Sequence, residues 1–292
     1  MRLIIVSGLS GSGKSVALNM LEDLGYYCID NLPVKLADNV VASAKESGDQ
    51  QNQKISIGID ARNRAEDLAG LPDLISELKK KGDIDCELIF THADDGVLLN
   101  RYSETRRRHP LSDDLTGLRE AIRLERKILA PVRNAADLVL DTSRTSVHQL
   151  REIVRKRVDQ REAGRMSLLF QSFGYKHGIP GDADFVFDVR CLPNPYWEPA
   201  LRELTGLERE VIEFLESQKS VGRMLDEIDA FLQNWVPEFV RENRNYLTVA
   251  IGCTGGRHRS VYICENLAGR FSAKYQNVLT RHNELTENRA TA

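Results

Sequence analysis

Nothing in the 292 residues approaches the run of about 18 uninterrupted apolar residues that would mark a membrane span. The first strand-like run begins at residue 2, which leaves no room for a signal peptide, so the cytoplasm is the expected location and no membrane partner is expected. Cysteine is sparse: five residues, an odd number, at positions 28, 86, 191, 253 and 264. That excludes a disulfide framework, and the lack of a C-x-x-C pair with partner ligands excludes a zinc module. Neither charge dominates, with 40 Lys and Arg against 43 Asp and Glu and a net charge of −3. Bulk electrostatics therefore do not mark a nucleic-acid binder, and any RNA contact needs a local basic patch. No repeat of 20 to 50 residues and no low-complexity tract occurs.

What is present begins at the N-terminus. Gly8-Leu9-Ser10-Gly11-Ser12-Gly13-Lys14-Ser15 has the spacing of a phosphate-binding loop. The apolar, β-branched run Arg2 to Ser7 precedes it as a buried parallel strand. A helical pattern through Val16, Ala17, Met20, Leu21 and Leu24 follows, ending at Gly25. Glycines let backbone N–H groups approach a phosphate, and the helix N-terminus adds partial positive charge. Lys14, the catalytic candidate, would reach the β- and γ-phosphates, and the Ser15 hydroxyl would ligate Mg²⁺. The alternative is a Gly/Ser-rich turn that binds nothing.

Strands are expected at 26–29, 54–59, 86–90 and 137–141, with helices at about 34–46, 65–80, 94–102 and 115–130 between them. Such alternation means βαβ units on a parallel sheet, with ligands at the carboxyl ends of the strands. Asp30 and Asp60 fall there, as candidates for Mg²⁺ or water positioning or simply as helix caps. Arg101 to Arg108 carries four arginines against one glutamate, and reads as a lid over phosphates or a solvated helix face. A basic, apolar-poor stretch at 151–165 reads as a helix ending in an exposed linker, or as an RNA-facing patch.

The pattern then restarts. Strands are expected at 166–173, 184–189 and 246–251, and helices at 208–217, 221–241 and 261–270. Gly252 to Ser260 is a second glycine-rich loop between strand and helix, suited to an anion. Arg259 adds a fork that matches phosphate. Cys253 and Arg259 also fit the C-x₅-R-[ST] spacing of cysteine-dependent phosphatases, although Gly252 stands where those enzymes carry His. Three uses remain open: a phosphatase nucleophile, a site that binds a phosphorylated metabolite, or a tight turn. His177, Tyr196 and Trp197 are candidates to line such a pocket or to plug a core.

Together the 8–15 loop, Asp30-Asn31-Leu32-Pro33, Asp60-Ala61-Arg62-Asn63, Asp184 to Arg190, Leu192-Pro193-Asn194-Pro195 and Gly252-Cys253-Thr254-Gly255-Gly256 resemble the RapZ/YvcJ family over essentially the whole chain. The resemblance implies an ATP site at Gly8–Ser15, a GTP contact at Asp60, Ala61, Arg62 and Asn63, and weak nucleotide hydrolysis. It further implies an RNase adapter that binds a small regulatory RNA, recruits RNase E and senses an amino-sugar phosphate through the C-terminal domain. Cys253, Thr254, Gly255, Gly256, His258 and Arg259 are the expected metabolite contacts. The chain departs in two places: its end from Phe271 is only weakly basic, and Tyr196 stands where enterobacterial relatives carry His.

The expected fold is α/β: an N-terminal P-loop NTPase/kinase-like parallel sheet over 1–158, a linker at 159–165, a smaller α/β domain with its own phosphate loop over 166–286, and a tail at 287–292. The expected function is an ATP- and GTP-binding regulator using Mg²⁺, present as a homo-oligomer. A small-molecule kinase with an arginine lid is the alternative.

Overall fold

The computed structural model describes residues 1–46, 53–112, 116–159 and 166–285. Its chain divides into two compact units, Met1–Ala163 and Gly164–Ala292, each with its own apolar core.

In the first unit, Leu3, Ile4, Ile5 and Val6 are fully buried on β1 (Arg2–Gly8), as a strand covered on both faces requires. β2 (Tyr27–Ile29), β3 (Lys54–Gly58), β4 (Asp85–His92) and β5 (Leu138–Asp141) complete a parallel sheet in the order β2-β3-β1-β4-β5. That order puts the phosphate-loop strand at the centre, with β3 and β4 on either side of it. The helices are α1 (Lys14–Asp23), α2 (Ala37–Glu46), α3 (Ala65–Ala69), α4 (Leu71–Lys80), α5 (Asp95–Thr105), α6 (Leu118–Asn134) and α7 (Val147–Val154).

Boundaries that differ from expectation include three in this unit. A 3₁₀ turn at Val34–Leu36 precedes α2, because Pro33 sits just outside the helix with extended ψ. The helix expected over 65–80 is two helices that meet at Gly70, and Pro72 occupies the first turn of the second. α6 continues past Ala130, carrying Pro131 inside it, and ends at Asn134. Most of the 159–165 linker and the whole of the 287–292 tail lie outside the described residues.

In the second unit, β6 (Ser167–Gly174), β7 (Phe185–Asp188), β8 (Tyr246–Cys253) and β9 (Val278–His282) form a parallel sheet in the order β7-β8-β6-β9. β6 and β8 are buried along their whole length, as the two central strands. α8 (Arg209–Glu216) and α9 (Lys219–Arg241) lead back to the sheet; α9 buries Val221, Leu225, Ile228, Leu232 and Val236, a stripe at helical spacing. α10 (Arg259–Ser272) begins where the second glycine loop ends. β9 is an addition to the elements expected from the sequence.

Candidate functional site

The first loop leaves β1 at Gly8 and enters α1 at Lys14. Gly8, Gly11 and Gly13 have φ of 147°, 84° and 99°, values that residues with a Cβ rarely adopt. A Cβ at Gly8 would lie 2.2 Å from Thr91 Oγ1 and 2.3 Å from Thr91 O, so this glycine lets the loop pack against β4. The Leu9 N–H donates to Thr91 O (3.1 Å) and the Ser12 N–H to Leu9 O (3.0 Å). The buried Ser12 hydroxyl contacts Leu9 O (2.6 Å) and Thr91 Oγ1 (2.7 Å), and Leu9 itself is in the core. Among the described residues, no acceptor takes the N–H groups of Gly11, Gly13, Lys14 and Ser15. The last three lie at the helix start, where partial positive charge and unpaired donors coincide, and Gly11 precedes them in the loop. Ser15 exposes its side chain on the first turn of α1.

Lys14 is 8% exposed, and its Nζ lies 3.1 Å from Asp60 Oδ2. Asp60 follows β3 and is 2% exposed; Arg62 donates to it from Nε (2.9 Å) and Nη2 (2.6 Å). Burial opposes ionisation of this carboxyl, but the Arg62 hydrogen bonds and the Lys14 charge outweigh it and hold Asp60 below the usual carboxylate range. Arg62 also hydrogen-bonds Asn31 Oδ1 beyond the end of β2. The structure thus gathers Lys14, Asp60 and Arg62 at the carboxyl edge of β1 and β3. Ala61 is buried, and Asn63 uses its amide within the fold, accepting from the Val34 N–H (2.8 Å) and donating to Leu32 O (3.3 Å). Asp30 is exposed at the end of β2, its Oδ1 accepting from the Asn31 N–H.

The arginine stretch divides in role. Arg101, on α5, donates to Gly11 O (3.0 Å) and Thr142 O (2.7 Å), which ties it to the loop backbone instead of leaving it on a mobile lid. Burial pulls its pKa down. Arg106, Arg107 and Arg108 are exposed where α5 ends, Arg106 with φ of 51°.

Two residues of this site escaped the sequence reading. Glu125 on α6 is fully buried and accepts from the Ser10 N–H (3.0 Å to Oε2) and the Ser10 hydroxyl (2.7 Å to Oε1). His109 Nε2 lies 3.1 Å from the same carboxylate. The signal was available: Ile122, Glu125, Leu129 and Val132 share the buried stripe of α6, so a charged side chain stands at an apolar position.

The second loop joins β8 to α10, again at the carboxyl ends of its sheet. Gly256 has φ of 74°, and Gly174, at the end of β6, lies close enough that a Cβ there would meet Gly255 C at 2.8 Å. Cys253 is buried; its Sγ accepts from the Gly256 N–H (3.1 Å) and lies 3.2 Å from Ser260 Oγ. The thiol thus shapes the turn from beneath. Arg259 differs from expectation. It is 4% exposed, and its Nη1 donates to Arg190 O (2.8 Å) and Leu192 O (3.0 Å). Nη2 meets Thr254 Oγ1 at 3.3 Å and the buried Nε has no partner among the described residues, so the grip through both Nη groups is taken up and the Nε/Nη2 edge remains. His258 is buried, and it faces the Leu204, Leu201 and Arg202 backbone; burial lowers its pKa.

Thr254 is exposed and Gly255 half-buried at the mouth of this loop. Around the mouth lie Arg190, stacked 3.9 Å over the Tyr175 ring and paired with Asp188, and His177, 3.5 Å from Glu284. Glu284 follows β9 and packs on the loop: a Cβ at Gly256 would meet its Cγ at 2.3 Å. Tyr196 and Trp197 plug no core, being 47% and 73% exposed on a 3₁₀ turn.

Residues 1–162 match the RapZ-like N-terminal domain and residues 166–286 the RapZ C-terminal domain. The chain is 54% identical over 287 residues to a nucleotide-binding protein of Methylococcus capsulatus, covering 98% of this chain and 97% of that one. It is 55% identical over 284 residues to a nucleotide-binding protein of Alkalilimnicola ehrlichii, covering 97% and 98%. Among solved structures, shikimate kinase from Bacteroides thetaiotaomicron is similar at 15% identity with a TM-score of 0.37, covering 55% of this chain and 97% of that one.

Proposed function

Because the chain belongs to the RapZ family, we propose that its first unit binds ATP or GTP with Mg²⁺ at the 8–15 loop. The second unit, in this reading, senses a phosphorylated metabolite at the 252–260 loop. The observation that carries the proposal is the first loop itself: four unpaired N–H groups in the loop and at the start of α1, with the Lys14 ammonium and Asp60 carboxylate beside them. Such donors are suited to phosphate oxygens and to little else.

Among the described residues no group of three or more His, Cys, Asp or Glu forms a dedicated metal site. The exposed Ser15 hydroxyl on the first turn of α1 suits Mg²⁺, which takes most of its oxygens from phosphates and water. Ser15 would hold it, and the metal would neutralise charge on the phosphates. Lys14 would transfer from Asp60 to the β- and γ-phosphates, leaving Asp60 to Arg62 and to any water in reach. Weak hydrolysis at this site rests on the family resemblance. The GTP contact at Asp60 to Asn63 falls mainly to Asp60 and Arg62, since Ala61 is buried and Asn63 braces the chain.

For the second unit the supporting feature is an exposed Thr254 beside a glycine turn and the Arg259 edge, suited to a phosphate of an amino-sugar phosphate. Adaptation of a small regulatory RNA to RNase E, and assembly into a homo-oligomer, rest on the family resemblance. The phosphoryl-transferring alternative is less well supported, because Arg101 is fastened to the loop.

Titration of the full chain with Mg·ATP by calorimetry tests the first site. Lys14→Ala is expected to weaken binding at least tenfold, the ~1.4 kcal/mol or more that a charge-assisted contact provides. Equal affinity in wild type and variant would remove the proposal. A gel shift at two salt concentrations tests RNA: complex at low salt that falls steeply on adding salt is expected, and no complex at either ends that role.

A further inference from the structure

The segment between Arg101 and His109 is attached to the phosphate loop at both ends. At one end Arg101 donates to Gly11 O (3.0 Å), and Gly11 itself packs beside the Tyr102 ring, which a Cβ added there would meet at 3.4 Å. At the other end His109 Nε2 meets Glu125 Oε2 (3.1 Å), and Glu125 holds the N–H and hydroxyl of Ser10. The three exposed arginines 106–108 lie between these two anchors.

The second anchor is built as a unit. His109 Nδ1 accepts from the Leu111 N–H (3.1 Å), so the ring nitrogen facing Glu125 is the one that carries the proton. Among the described residues, the groups within hydrogen-bond distance of the Glu125 carboxylate therefore all donate to it: one backbone N–H, one hydroxyl and one imidazole N–H. Both side chains are buried, Glu125 at 0% and His109 at 2% exposure, and the Tyr102 ring lies 5.3 Å from the His109 ring. A carboxylate taken out of water at this depth is costly unless such donors surround it, and removing one of them leaves it stranded. The unit thus has one stable arrangement, with Ser10 and His109 both seated on Glu125. Where Ser10 goes, the end of the arginine segment follows.

We propose that Glu125 and His109 are positioning residues that hold Arg106–Arg108 in register with the phosphate loop, so that the site distinguishes a nucleoside triphosphate from a diphosphate. The inference rests on the nucleotide reading of the 8–15 loop. The loop's own four N–H groups serve phosphates common to both ligands, and Lys14 brings a single ammonium to the γ-phosphate. The added charge of the triphosphate is what a guanidinium segment at the rim can read, and a strap fixed only at Arg101 would present that charge over a wide arc. Neither Glu125 nor His109 touches the nucleotide in this scheme; both act through Ser10 and the arginines.

The test uses the full chain and compares Mg·ATP with Mg·ADP by calorimetry. Glu125→Gln and His109→Phe are each expected to weaken Mg·ATP about tenfold while leaving Mg·ADP within twofold, and the double variant to do no worse than either single one. His109→Gln, which offers an N–H at the same reach, restores most of the preference. Arg107→Ala lowers the same preference in wild type and has a smaller effect in the Glu125→Gln background. Equal weakening of both nucleotides would reduce the pair to general support of the loop, and unchanged preference or additive losses would equally overturn the proposal. If wild type binds neither nucleotide, the underlying reading of the loop fails instead. Should Glu125→Gln not fold, as judged by thermal unfolding, the His109→Phe and His109→Gln comparison decides alone.

Discussion

Asp60 shows how one side chain can serve stability and function with the same charge. Its carboxyl is almost fully enclosed, and burial alone would favour the neutral form. Arg62 and Lys14 reverse that and hold its pKa below the unfolded value of ~3.9. A group whose pKa is depressed on folding contributes stability that is complete above the unfolded value, and that is lost as pH falls through the folded value. Asp60→Asn leaves Lys14 and Arg62 without their carboxylate, so it is expected to be less stable than wild type at pH 7. Its denaturant midpoint should then fall less steeply on acidification from about pH 5 to pH 2, and the two curves should converge. Curves that stay parallel would show that Asp60 is not an acid-sensitive link. The residues around it were unequally legible in the sequence. Lys14 and the glycines declare themselves by spacing, because the chemistry of phosphate demands that spacing. The partners of Glu125 and Arg259 do not, because a buried charge shows them only after the chain has folded. Arg259 in particular reads as a phosphate fork, and one of its Nη groups is spent on the Arg190 and Leu192 carbonyls.

Elements carry a different kind of constraint, set by how closely backbones approach. Gly8 sits where β1 passes Thr91 of β4, with room for a hydrogen and no more. Gly8→Ala forces Cβ into both the hydroxyl and the carbonyl of Thr91, at a φ of 147° that alanine resists. A loss of about 3 kcal/mol in unfolding free energy is expected, larger than for Gly96→Ala, where a Cβ meets nothing within 4 Å. Equal effects at the two positions would contradict the close-packing argument. β9 makes the complementary point at the edge of the second sheet. It pairs with β6 from Leu168↔Val278 to Ser172↔His282, and its continuation brings Glu284 onto the second loop. The alternation in Val278–His282 is too short and too polar to stand out, and its half-buried positions are supplied by β6 and α10. The strand is thus created by tertiary pairing, which sequence periodicity does not report. The long apolar runs of β1, β4, β6 and β8 were legible for the opposite reason: burial on both faces leaves a continuous signal.

At the scale of the whole molecule, the separate apolar cores of the two units make their stabilities separately addressable by ligands. A ligand that binds only the folded state adds RT ln(1 + [L]/Kd), about 2.7 kcal/mol at a hundredfold excess over Kd. Mg·ATP should therefore act on the unit holding Lys14, and glucosamine-6-phosphate on the unit holding Thr254. Scanning calorimetry of the full chain is expected to resolve two transitions, with Mg·ATP raising the midpoint of one and the sugar phosphate that of the other. Lys14→Ala should abolish the first shift and spare the second; Thr254→Val should do the reverse, since it removes the exposed hydroxyl and keeps the branched shape. A sugar phosphate that moves neither transition at millimolar concentration would leave the second loop a structural turn. Movement of both transitions by Mg·ATP alone would show that the units unfold as one. That result would join the two phosphate loops in a single cooperative body, and metabolite and nucleotide would then report on each other through global stability.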